Sequence, residues 1–346
     1  MTLEEHFYSF ADKLDCFPGK RDYVSAYKAF KNFMNTQVHK EIKSLTLHKD
    51  GAIYLNDHSE EHVQMVIERI SKILWSGNNP TVELEPFECF ILLTAIQIHD
   101  AGHIVNGRVE HEKNCKFFLS ELNKYIVGAV EKKVIYHIAQ AHSGKDDPIG
   151  NLPQRELVFN CNVRMRMLAA LLRIGDEMAD DVSRASEYLF DKNQIIEGSR
   201  LFHAFSLSLV SFMPDMLSHD VTMKFNMNKE RCNEVYRKYN KNGGIDIYLI
   251  DEIFDRTFKT FHECLYYNRF VPDTIRLNTV TVEIDFCNEQ DLEPFFPIIK
   301  YKLEEVGYPH IKDENIYTLC GESLNHHGNR VDGKFIKNHI NNKNEE

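Results

Sequence analysis

Apolar positions keep helical spacing through most of the first half of this chain and turn to alternation further on. His62, Val66, Ile70 and Ile73 fall on one stripe, and Leu168, Leu172, Asp176 and Ala179 on another. Between them, Phe90 to Ile98 is an almost unbroken apolar run that leads straight into His99 and Asp100. These patterns predict helices over about 58–74, 86–99, 111–125, 128–142 and 160–179. Asp57, with Glu60 three residues on, carries the capping-box signature for the first of them. Amphipathic helix precedes them up to about Leu45, with Phe7, Phe10, Tyr23, Tyr27, Phe30 and Phe33 as packing positions.

Past Leu189 the texture changes. Alternation over 201–212 and 221–227, around Met213-Pro-Asp, predicts a β-hairpin, and 279–286 is a clear period-two strand. Helices are expected near 229–239, 249–270 and 292–306, and a frayed tail from Lys334, which is rich in Asn and Lys. The fold class read from this is mainly α with a smaller C-terminal α+β lobe. The expected divisions are a helical extension 1–50, a helical domain 51–190, the lobe 191–333 and the tail 334–346, with no internal repeat.

Composition narrows the classes. With 346 residues, 43% apolar and 27% charged, the chain reads as globular. A net charge of −11 disfavours broad nonspecific nucleic-acid binding, although a metal with a few Arg or Lys residues can still make a local phosphate site. Eight scattered cysteines without a Cys-x-x-Cys pair argue against a disulfide framework or structural zinc, and for buried thiols in a reduced, cytoplasmic protein. Met1-Thr-Leu-Glu-Glu-His lacks the regions of a signal peptide, and no apolar run approaches a membrane span.

The polar residues on apolar stripes carry the chemistry. A carboxylate at Asp100, closing so apolar a run, costs several kcal/mol unless something offsets its burial. A cation shared with His99 would do so. His62 taken alone is explained by a hydrogen bond to a carbonyl, and Asp176 by a buried salt bridge to Arg164 or Arg173. The order His … His-Asp … Asp nevertheless points to a metal held by His62, His99, Asp100 and Asp176. His111 shares a stripe with Cys115, Phe118 and Leu122, and His142 closes its helix beside Ser143-Gly144-Lys145. Both are candidates for a second ion or for proton transfer. His137 reads as a packed core residue, and His58 and the His326-His327 pair as solvated. One or two divalent ions (manganese, iron, magnesium or zinc) suit such ligands. Bound, such an ion brings water to a pKa of about 7 and neutralises phosphate oxygens, which fits phosphoester or phosphoanhydride hydrolysis. Arg108 and Lys145, in loops beside these residues, are the candidates for holding a substrate phosphate. There is neither a phosphate-binding loop of the Gly-x-x-x-x-Gly-Lys type nor a Gly-x-Ser-x-Gly nucleophile motif.

Asp57-His-Ser-Glu-Glu-His62, His99-Asp-Ala-Gly-His103 and Leu171-Leu-Arg-Ile-Gly-Asp176, taken in order, resemble the HD superfamily of metal-dependent phosphohydrolases over about residues 52–182. The resemblance implies an HD-type helical bundle with the metal at its centre, held by His62, His99, Asp100 and Asp176. Two branches compete. His99-Asp-Ala-Gly-His103, with Glu110-His-Glu112 ahead of Phe117-Phe118, is similar to deoxynucleoside triphosphate triphosphohydrolases. That likeness implies His111 as the proton-transfer residue and His103 on phosphate, with Asp100 in the catalytic set. The chain departs from those enzymes at Ile104-Val-Asn-Gly107, where they usually continue with Pro-Phe and another His. Asp-His-x-x-x-His and the extra histidines resemble two-metal HD phosphodiesterases and phosphatases, in which His111 and His142 would hold the second ion. The Gly-Tyr-Pro motif of the cyclic-dinucleotide branch is missing. The implied substrate is a nucleotide or small phosphoester. A nucleotide-sensing or partner-binding module without turnover, and a di-iron oxygenase, are the other classes open to this fold. The C-terminal lobe leaves room for a homo-oligomer or a protein partner.

Overall fold

The structure, a computed structural model, describes residues 1–45, 59–77, 79–106, 110–125, 127–240, 243–287, 293–305 and 315–343. These fall into two compact units. The first takes the described residues among Met1–Leu45, His58–Ala179 and Tyr266–Arg276, and the second those among Asp180–Leu265 and Leu277–Glu346.

The first unit is helical. Its elements are α1 (Leu3–Tyr8), α2 (Tyr23–Phe33), α3 (Glu60–Leu74), α4 (Pro86–Ile98), the short α5 (His103–Asn106) and α6 (His111–Asn114), α7 (Ala129–Gln140) and α8 (Met165–Glu177). Helix α4 is apolar on every side, and all thirteen of its residues are buried. It is the central rod, packed against α1, α2, α3, α7 and α8. Pro86 stands at its first turn, where a missing N–H costs nothing. Glu88 in that turn accepts the backbone N–H of Glu85 at 3.2 Å and that of Arg164 at 2.9 Å, and the Arg164 guanidinium forks onto the same carboxylate. The start of α4 is thereby tied to the residue that opens α8. Helices α3 and α8 approach closely because residue 175 is glycine: a Cβ there would meet Ile70 Cγ1 at 2.5 Å. That approach brings His62 and Asp176 together.

The second unit is mixed. Helices α9 (Glu197–Ser208), α10 (Leu249–Asn268, through Leu265 in this unit) and α11 (Gly333–Lys343) accompany strands β1 (Leu209–Asp215), β2 (Asp220–Met227), β3 (Val235–Asn240), β4 (Gly243–Tyr248), β5 (Thr279–Phe286) and β6 (Ile299–Glu304). The main sheet has the order β6-β5-β2-β1, with β5 parallel to β2 and the other pairs antiparallel. Val280, Val282, Ile284 and Phe286 point to one buried face, beside Ile299, Tyr301 and Leu303 of β6. Tyr301 meets Thr257 of α10 there, hydroxyl to hydroxyl, at 2.7 Å.

A mainly α fold with an α+β C-terminal part is what the pattern predicts, but several elements differ. The segment 292–306, expected as helix, holds strand β6, whose alternating apolar residues pair with β5. The expected helix 229–239 is a single turn, Lys229–Asn233, followed by β3. Residues 201–208 belong to helix α9, so the hairpin begins at Leu209, and Met213-Pro-Asp lies inside β1 rather than at its turn. The expected helix 111–125 continues from α6 as a 3₁₀ segment, Cys115–Tyr125, and 160–179 becomes a short hairpin (Glu156–Val158 with Cys161–Val163) ahead of α8. The tail from Lys334 is helical, because Ile336 and Ile340 bury one side of α11. Ser59 occupies the N-cap position of helix α3 without a capping hydrogen bond from its side chain; Asp57 and His58 lie outside the described residues. The eight cysteines are free, and five are buried. Among the described residues, no helix is long and apolar enough to cross a membrane.

Candidate metal centre

Helix α4 stops at a tight turn. Ala101 N–H donates to Ile98 O and His103 N–H to Asp100 O, both at 3.0 Å. This turn aims His99, Asp100 and His103 into one region. Gly102 makes the turn possible, since a Cβ there would lie 1.9 Å from the carbonyl oxygen of His111.

Asp100 is the hub. Its Oδ2 lies 3.4 Å from His99 Nε2 and 3.6 Å from His62 Nε2. Its Oδ1 lies 3.5 Å from His111 Nε2, 3.5 Å from His142 Nε2 and 3.7 Å from His103 Nε2. Asp176 Oδ1 completes the first side at 3.1 Å from His62 Nε2 and 3.6 Å from His99 Nε2. One donor atom from each of His62, His99, Asp100 and Asp176 lies within 4.8 Å of the others, and the same holds for Asp100, His103 and His111. His103 stacks flat on His111, centroids 4.3 Å apart, and His111 Nε2 faces His142 Nε2 at 3.3 Å.

The backbone fixes two of these imidazoles. His99 donates Nδ1–H to Ile96 O at 2.7 Å, and His142 donates Nδ1–H to Ala139 O at 2.5 Å. Both therefore turn Nε2 toward Asp100, a lone pair whenever the ring is neutral, which is the arrangement metal-ligating histidines adopt. Carboxylate oxygens and nitrogen lone pairs converging in a buried space demand positive charge. The electrostatics agree. Burial alone would push the His99 imidazole down, but the charges of Asp100 and Asp176 outweigh it and raise it to about 9. Burial would raise Asp176, yet hydrogen bonds from His62 and His99 hold it well below the usual carboxylate range. A divalent cation in the same place answers that demand with both histidines neutral, so the donor set fits a metal.

The structure thus gathers His62, His99, Asp100, Asp176, His103, His111 and His142 at one locus. Arg164 and Arg173 do not pair with Asp176: Arg164 forks onto Glu88, and Arg173 donates to Gly144 O at 3.3 Å. Arg166 donates to Leu152 O. Lys145 is exposed on the wall of a neighbouring cavity of about 490 Å³, shared with Glu112, His137, Gln140 and Asn151. His137 is half-buried on that wall rather than packed in a core. Arg108 lies outside the described residues. The sequence places Glu112 in the Glu110-His-Glu112 motif without giving it a role; its Oε2 lies 3.5 Å from His111 Nδ1.

The model of the HD-CE family, an HD-type domain family, matches residues 52–258, which include every residue of this cluster. The chain belongs to the HD-CE family. The HD-CE match covers more than half the chain and leaves α1, α2 and the turns up to Leu45 outside it. No curated protein and no solved structure matches the chain.

Proposed function

We propose that this HD-CE protein is a metal-dependent phosphohydrolase with a two-metal centre, acting on a nucleotide or related phosphoester. The observation that carries the reading is Asp100, whose two oxygens face different groups of donors. His62, His99, Asp100 and Asp176 would hold one ion, and Asp100, His103, His111 and His142 the other. Bound there, divalent ions neutralise phosphoryl oxygens and make water nucleophilic near neutral pH. The chain's own contribution is to orient. The carbonyls of Ile96 and Ala139 lock two imidazoles, Asp100 bridges the two halves, and Lys145 on the cavity wall supplies a positive charge for a phosphate. The cavity volume is of a size that holds a nucleotide-sized ligand.

A second reading rests on Glu112. A carboxylate beside Nδ1 orients an imidazole for proton transfer, which would make His111 the acid-base residue of a one-metal triphosphohydrolase, with His103 on phosphate. His111→Ala separates the two. Metal content falling from two ions to one supports the two-metal phosphodiesterase or phosphatase. Unchanged metal with lost turnover supports the triphosphohydrolase. Metal analysis of the purified protein, with a manganese-supplemented screen of nucleoside triphosphates, cyclic nucleotides and a generic phosphodiester, tests the whole reading. Bound metal without turnover would favour a sensing module, and absence of metal after reconstitution would overturn the centre.

A further inference from the structure

The segment ahead of the matched residues reaches toward the centre through one buried chain of hydrogen bonds. At its outer end the Lys31 ammonium holds both oxygens of Glu4, at 2.7 and 2.8 Å. Tyr27 donates its hydroxyl to Glu4 at 2.6 Å, and burial keeps that phenol well above its usual range, so the proton stays on Tyr27. With its proton directed at Glu4, the Tyr27 oxygen can only accept from the amide of Gln97, 3.2 Å away. Gln97 Oε1 therefore faces His39 Nε2, at 3.3 Å, and His39 carries its proton on Nε2. Burial pushes the His39 imidazole down to about 4, which keeps it neutral. Its Nδ1 is then a bare lone pair. His39 is 2% exposed, and Nδ1 has no hydrogen-bond partner among the described residues.

For stability alone this arrangement is poor. A bare ring nitrogen is left buried, and the one bond from Nε2 to Gln97 Oε1 does not make use of it. His39 closes a π-helical turn, Met34–His39, a local geometry that proteins use mostly at functional sites. The charges of His62, His99 and Asp100 reach it. We propose that His39 is a positioning residue of the metal centre, whose Nδ1 accepts a hydrogen bond from a water lying behind His62, His99 and Asp100. The inference rests on the metal-centre reading and adds to it that a segment outside the family match helps to build the centre. Lys31, Glu4, Tyr27 and Gln97 act in series to set which nitrogen of His39 is basic.

Cobalt(II) titration of the full chain tests this, reading both affinity and the visible absorption of the bound ion, with thermal melting alongside. His39→Leu should bind cobalt about 10- to 100-fold more weakly and show a shifted absorption band. Tyr27→Phe keeps the ring but releases the tautomer, and should move both readouts in the same direction by roughly 3- to 10-fold. If His39→Leu does not fold, the Tyr27→Phe result decides. Affinities within about twofold of wild type and superimposable spectra would overturn the inference, whatever the melting temperatures do. A wild-type chain that takes up no cobalt would overturn the metal-centre reading and this inference with it.

Discussion

Asp100 is reached by histidines from both sides, so its removal should be felt by both. Asp100→Ala is expected to lower bound metal to below about a tenth of the wild-type value, measured by elemental analysis after dialysis. Replacing Asp176 should empty only the His62 side. Gly102 makes the other sharp prediction at this scale. Its missing Cβ leaves room for the His111 carbonyl, so Gly102→Ala must displace one backbone from the other. We expect a loss of about 1–3 kcal/mol in urea unfolding together with loss of the His111 side of the centre. Unchanged metal stoichiometry in Gly102→Ala would contradict this packing argument.

At the scale of elements, the fork between Glu88 and Arg164 joins two helix starts around a carboxylate that is almost wholly buried. Arg164→Met would strand that charge, and should cost about 3 kcal/mol in urea unfolding, with most of it recovered in the pair Glu88→Gln, Arg164→Met. Elements with long, regular apolar patterns were legible in the sequence. The central rod is one, and β5 is another, with the expected bounds of 279–286. Legibility failed where pairing decides. Ile299, Tyr301 and Leu303 alternate over too short a span to declare a strand, and β5 beside them selects it. Val235 to Asn240 likewise becomes a strand by pairing with β4. At the centre, the residue types and the order His, His-Asp, Asp stood in the sequence. The bridging geometry of Asp100, the Glu112 contact and the His39 relay did not, because each depends on side chains meeting across turns or across 58 residues of chain.

The whole molecule has two units, and metal and acid should reach them differently. A metal held at the proposed centre would bind the folded first unit only, so at a hundredfold excess over its dissociation constant it should add about 2.7 kcal/mol there. Hydrogen-exchange mass spectrometry should show that protection in peptides from 60–177 and not in peptides from the β5–β6 sheet. Acid should act on the first unit through His39, also held near 4 by burial, and on the second through His203, whose two ring nitrogens have no hydrogen-bond partner among the described residues. Burial pushes this imidazole down to about 4, against the opposing pull of Asp180 and with help from Arg184 and Arg200. The sign follows from linkage. Between pH 6.5 and about 4 the unfolded chain takes up a proton that the folded chain refuses, so stability is full above 6.5 and falls as the pH drops. From pH 7.5 to 5 the His203 share of the loss should be about 2 kcal/mol, and His203→Gln should remove that share in urea unfolding.

The spread of the donors along the chain has a consequence for synthesis. A ribosome delivers His62 first, then the His99-Asp100 turn, then His111 and His142, and Asp176 last, 114 residues after His62. Until Asp176 has been added and α8 can pack, the His62 side of the proposed centre lacks the carboxylate that closes it, whereas Asp100, His103, His111 and His142 have all been made. An ion on the His62 side therefore could not template the early fragments, whereas one on the His111 side could. The His62-side ion would be captured only once translation has passed the middle of the protein, and a chain released before that point should leave the ribosome without that ion.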